Sequence, residues 1–175
     1  MRRAFVVLLV LVAVAAGVFV ATRRPKHGRG GSGYSGNGVV RIPRARVSGN
    51  EVDLQSTPVR IGQKGDAILL ALEAVLQAKP EPGQPRIFPP GVRVLSVRVE
   101  DGVAKINMSD EFNQLRQSGD TTEALAQRAL IQTLAQFPQV RSMLVLVGGK
   151  PFESEHTDWT EPIPVRGESA LGAPQ

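Results

Sequence analysis

The side chains able to do chemistry are few and scattered through the 175 residues. There is no cysteine, which removes disulfides, thiolate nucleophiles and a lipid-modified cysteine anchor. The two histidines are His27, in a glycine-rich stretch, and His156, among Glu153, Glu155, Asp158 and Glu161. His156 and Asp158 supply two ligands on one loop, short of the three or four that zinc requires. A solvated acidic loop is expected there, and no metal. Asp110-Glu111 offers two adjacent carboxylates, but neighbours along a strand point apart, whereas a general acid and base must converge on one substrate. They are expected to start a loop or a helix. Ser109, Ser118 and Ser142 have no histidine placed to take a proton, and a serine without a base is not a nucleophile. Six glycines between Gly28 and Gly38 resemble the spacing of a phosphate loop, yet they follow no strand and open no helix. The expectation is a chain with no catalytic residues and no cofactor.

Charge is uneven. Six of the 21 basic residues, Arg2, Arg3, Arg23, Arg24, Lys26 and Arg29, precede Val39 with no acidic residue among them. The rest of the chain holds 15 basic against 16 acidic residues, a net charge of −1. The high isoelectric point therefore belongs to the front end, and the remainder offers no electrostatic footprint for nucleic acid.

The elements that must carry these residues begin with an apolar run. Ala4 to Ala21 contains only Ala, Val, Leu, Phe and one Gly, and Arg2-Arg3 and Arg23-Arg24 bracket it. Eighteen helical residues span about 27 Å, enough for the hydrocarbon core of a bilayer. An uncleaved signal-anchor over residues 1–24 is favoured over a cleaved signal peptide cut near Ala13-Val14-Ala15, because the apolar run continues beyond that point. A short N-terminal flank before a large domain places that domain outside the cytoplasm. Residues 25–38 read as a flexible Gly-rich linker, residues 39–165 as one domain and residues 166–175 as a disordered tail.

Within the domain, Val39–Val47 and Val52–Ile61 form a hairpin about Ser48-Gly49-Asn50, and Pro43 and Pro58 mark these strands as edge or broken ones. Asp66 caps a helix that repeats Ile68, Leu69, Leu72, Val75 and Leu76 at helical spacing and stops by Lys79. Residues 79–91 carry five prolines and cannot be helical. Their Ile87-Phe88 pair is expected to dock on the core, with exposure as a partner-binding aromatic the competing reading. Val92–Met108 centres on Asp101-Gly102, whose φ > 0 preference suits a two-residue hairpin turn. That register puts Val99 opposite Ala104, Val97 opposite Ile106 and Leu95 opposite Met108, with a bulge near Val94-Leu95 because Val92 and Val94 are out of phase. A polar loop follows Phe112. Asp120 then caps a second helix with Glu123 reaching back, and Ala126, Leu130, Leu134 and Phe137 line one face. Val140–Val147 is a central strand covered on both faces or touching both helices. Ile163-Pro164-Val165 adds an edge strand.

These blocks together resemble the GerMN domain. The likeness rests on the 65–79 helix, Ile87-Phe88-Pro89-Pro90-Gly91-Val92, the Leu95–Ala104 hairpin, Asn107-Met108-Ser109-Asp110-Glu111-Phe112, Thr133–Val140, and Val145–Pro151. The resemblance implies an α+β fold, one compact domain with an antiparallel or mixed sheet packed with two helices and preceded by a transmembrane helix. It also implies a spore-formation or germination type of envelope protein that assembles by contact, without catalytic residues. In the first hairpin, Arg41-Ile42-Pro43-Arg44-Ala45-Arg46 stands where the resemblance leads one to expect a tyrosine- or phenylalanine-bearing strand. The expected function is non-enzymatic protein–protein assembly at the bacterial cell envelope. Its partners would be the membrane through Ala4 to Ala21, envelope proteins of unknown identity and a second copy of the chain. The candidate partner surface is Ile87, Phe88, Arg41, Arg44 and Arg46, although the three arginines also suit an edge strand guarding against unwanted pairing. The alternative is a cell-wall ligand-binding or hydrolytic domain, which a pocket gathering Asp110, Glu111 and His156 would favour.

Overall fold

The structure, a computed structural model, describes residues 38–62 and 64–166. The anchor, linker and tail readings lie outside the described residues. Strands β1 (Val39–Ser48) and β2 (Glu51–Arg60) pair antiparallel as a separate ribbon. Helix α1 spans Ala67–Leu76, and β3 (Val94–Glu100) and β4 (Val103–Met108) form the second hairpin. A 3-10 helix (Asp110–Gln117) and helix α2 (Asp120–Leu134) then carry the chain to β5 (Ser142–Val147). β5 runs parallel to β4, with Ile106 beside Val145, and short strands β6 (Lys150–Pro151) and β7 (Ile163–Pro164) finish on it antiparallel.

Physical reasons for these elements can be read locally. The Asp66 carboxylate accepts from the Ile68 and Leu69 N–H groups and satisfies two of the orphan donors that open α1. At the hairpin turn Asp101 has φ 50° and Gly102 φ 82°, both left-handed, as such a turn demands. Arg141 lies over that turn and donates to the Asp101 carbonyl at 2.7 Å, so closely that a Cβ on Gly102 would come within 2.5 Å of its Nε. Ala104, Ile106 and Met108 from β4 and Met143 and Val145 from β5 are all fully buried on one sheet face. Crossing between parallel strands needs a dozen or more residues, and α2 fills that crossover with Ala126, Ala129, Leu130 and Leu134 in the core. The β1–β2 ribbon contacts both helices, and Val40 and Ile42 reach the same core cluster. A satellite of three aromatics closes one side: Phe112, Phe152 and Trp159 meet edge to face with centroids 4.9, 5.6 and 6.0 Å apart.

The structure corrects the expected register at one point. Val99 faces Ala104 and Val97 faces Ile106, but Val94 faces Met108 and Leu95 is extruded by the bulge to 55% exposure. The bulge adds one residue, so the out-of-phase Val94 recovers the buried face and Leu95 loses it. Asp120 is not the cap of α2. Gly119 takes that place with φ 80°, Asp120 Oδ1 accepts from the Thr121 N–H, and Glu123 turns inward instead of reaching back. The polar stretch after Ser109 is a 3-10 helix and not a loop, held by buried Phe112 and Leu115. The helices end at Leu76 and Leu134, a few residues earlier than the prolines require.

The bulge makes a simple pair of expectations. Met108→Ala empties a fully buried site and should cost about 2–5 kcal/mol in urea unfolding. Leu95→Ala should stay within about 0.5 kcal/mol of the parent, as exposed substitutions do. Equal losses at both positions would restore the bulge-free register.

Candidate functional site

The residues able to do chemistry are spread out. Asp110 is exposed and Glu111 half-buried on the first turn of the 3-10 helix. The Ser109 hydroxyl, which accepts from the Arg93 N–H at 3.0 Å, holds the Glu111 carboxyl below the usual carboxylate range by donating to it. His156 is exposed on the loop after β6, and its backbone N–H, not its ring, contacts Ser154 Oγ at 3.3 Å. Among the described residues no three of His, Cys, Asp and Glu gather where a metal could be held. Asp158 is held below its ordinary pKa by hydrogen bonds from the Thr160 backbone and hydroxyl. These contacts stiffen the acidic loop but bring no second catalytic group to it.

One charged residue escaped sequence reasoning. Glu123 is fully buried, accepts from Ser154 Oγ at 2.6 Å through Oε1, and leaves Oε2 without a partner. It sits in the first turn of α2, where the helix dipole favours a carboxylate. With Gln127 donating to the Asp158 carbonyl at 3.2 Å, it ties the 153–161 loop to that turn. The S/T/D-x-x-E spacing pointed to a cap, and nothing in the chain pattern announced that the side chain would face Ser154.

The expected partner surface divides in the structure. Ile87 and Phe88 are 8% and 3% exposed and belong to the core, so the docking reading of that pair describes their position. Arg41, Arg44 and Arg46 do not share one stripe, because strand alternation separates Arg41 from the other two. Arg46 Nη1 donates to Gln55 Oε1 across the ribbon at 2.8 Å. Arg44 is half-buried, lines a small cleft with Val75, Leu76, Ile87 and Phe88, and has an unpartnered Nε. Arg41 is exposed on the rim of an open groove of about 540 Å³, whose walls include Leu54, Ile131, Ala135 and Val165. Asp110, Glu111 and His156 line neither depression.

The free edge of β1 is occupied by side chains. Gln136 Oε1 accepts from the Arg41 N–H at 2.7 Å while its Nε2 donates to the Arg41 carbonyl at 2.8 Å, as a neighbouring strand would. Gln84 Oε1 accepts from the Val47 N–H at 2.6 Å. Pro43 lies in the same phase as Arg41 and Val47, so the position where its ring nitrogen offers no N–H faces outward too. At the β3 edge Glu73 Oε1 accepts from the Val94 N–H at 2.8 Å. Gln136→Ala removes both bonds to Arg41 and should cost about 1 kcal/mol in urea unfolding. Gln136→Glu should lose at least as much, because a carboxylate would then face the Arg41 carbonyl; parent-like stability of both variants would contradict the pairing.

No curated protein matches the sequence. Among solved structures, the tandem GerMN domains of the sporulation protein GerM from Bacillus subtilis align with 72% of this chain and 45% of theirs, at 18% identity and a TM-score of 0.56. The first GerMN domain of the same protein aligns with 71% of this chain and 93% of its own length, at 19% identity and a TM-score of 0.52. At such identities these likenesses speak for the fold. The family described as Germane, sporulation and spore germination, matches residues 36–153, and over that span this chain belongs to it.

Proposed function

We propose that this protein is a non-catalytic envelope module, held at a bacterial membrane by residues 4–21, presented outside the cytoplasm and working by contact with other proteins. The observation that carries this reading is that Asp110, Glu111 and His156 line neither depression and do not gather as a cluster among the described residues, within a family described by sporulation and spore germination. Among the described residues the large aromatics that could grip a sugar or peptide ligand are buried, Phe112, Phe152 and Trp159 in the aromatic satellite and Phe88 and Phe137 in the core. What remains for recognition is surface: the exposed charges of the Pro-rich loop and the edge around Leu95. Among the described residues no helix is long and apolar enough to cross a membrane, so membrane attachment is assigned to the N-terminal apolar run alone. The solved relative with a named process is one sporulation protein, GerM, and an envelope process of that type is the setting proposed here.

In-cell crosslinking of the full-length protein, followed by identification of its neighbours, tests the reading. The same envelope proteins should be captured repeatedly, from the membrane fraction, and some should be lost on substituting the exposed loop residues Glu81 and Arg86 with alanine. Recovery of the intact chain in the cytosol, or turnover of cell-wall fragments by the purified protein, would contradict it.

A further inference from the structure

The domain is electrically lopsided with respect to the point where residues 1–37 join it. Gly38 is bonded to the end of β2 through the Ile61 N–H at 2.7 Å, and Arg60 pairs with Val39. Around this junction Arg41, Arg60, Lys64 and Arg166 are exposed, and none forms an ion pair among the described residues. Arg41 and Arg166 belong to the same end because Gln136 and Ala135, at the C-terminus of α2, bind them. Two carboxylates share this end: Asp66 caps α1, and Asp101 lies at the turn where Arg141 adds a further cation by binding the Asp101 backbone carbonyl. The other end of α2, about 22 Å away at 1.5 Å per residue, carries the opposite sign. There Asp120 starts the helix, and the loop bearing Glu153, Glu155 and Asp158 is tied to Glu123 and Gln127.

We propose that the junction end, through Arg41, Arg60, Lys64 and Arg166, docks on the anionic phospholipid headgroups of the membrane from which residues 1–37 lead. The inference rests on the anchor reading above and goes beyond it, since an anchor alone leaves the domain free to tumble. Charge complementarity and the place where the chain leaves the domain together choose lipid as the occupant. Exposed arginines on an edge strand also deter pairing, but Lys64 and Arg166 lie outside the strands and need another account. Each basic side chain near an anionic leaflet strengthens attachment about fivefold, and the attraction fades within a Debye length. Docking this end down turns the acidic loop and the α2 N-terminus outward, which fixes which surfaces reach envelope partners.

The full chain has no cysteine, so Gly62→Cys near the junction and Ser48→Cys at the ribbon tip each give a single labelling point. The labelled full-length protein is reconstituted in phosphatidylcholine vesicles with and without phosphatidylglycerol, and energy transfer to a headgroup-labelled lipid is read. Transfer from position 62 should rise about twofold with the anionic lipid, fall again in high salt, and lose its lipid dependence in an Arg41→Gln, Arg60→Gln, Lys64→Gln variant; position 48 should move the other way. Equal transfer in both lipids from protein that floats with both would overturn the docking and leave the anchor standing, the cations then serving solvent or an acidic protein. Protein that floats with neither vesicle would overturn the anchor and the docking together.

Discussion

The pairing of β4 with β5 is the constraint on which the rest of the structure depends. The two strands run parallel and side by side, so the chain must leave the sheet, cross and return. That crossover is α2, and its apolar face joins Ile106, Met108, Met143 and Val145 in one buried core cluster. A 10-residue α1 and a 15-residue α2 are too short to be stable alone. They persist because packing removes their apolar faces from water. The ribbon of β1 and β2 is added to this frame through its contacts with the helices.

Edges remain at β1 and β3, and side chains or a bulge meet them. A side-chain amide stands in for a strand at Arg41, a second amide covers Val47, a carboxylate covers Val94, and the bulge at Leu95 breaks the regularity of β3. Such devices keep an exposed strand edge from zipping onto another copy of the chain. On the far sheet face Glu100 pairs with Lys105 at 2.7 Å, both about half exposed, which also lowers the Glu100 pKa. That pair is solvated and serves solubility and specificity more than stability.

Much of this was legible in the chain. The Asp101-Gly102 turn, the alternation through Val97, Val99, Ala104 and Ile106, the Asp66 cap and the docking of Ile87-Phe88 all follow from local chemistry, and the structure has each of them. The failures share a cause. Glu123 and the 110–117 helix are settled by tertiary partners that no window of sequence contains, the hydroxyl of Ser154 31 residues away and the aromatic satellite around Phe112, whereas at Leu95 the bulge itself was legible and only the side it turned to water was not. The separation of Arg41 from Arg44 and Arg46 was readable from strand alternation alone. Gln136 could not be foreseen, because its role depends on a strand 95 residues earlier.

Native-state amide hydrogen exchange tests the central claim most directly, that one frame of α2, β4 and β5 carries global stability while the ribbon is an attachment to it. The account predicts that amides such as those of Ile106, Leu130 and Val145 exchange only through global unfolding, whereas the β1–β2 ladder opens at a lower free energy. Ribbon amides protected as strongly as those of β4 and β5, or a frame that opens before the ribbon, would contradict it.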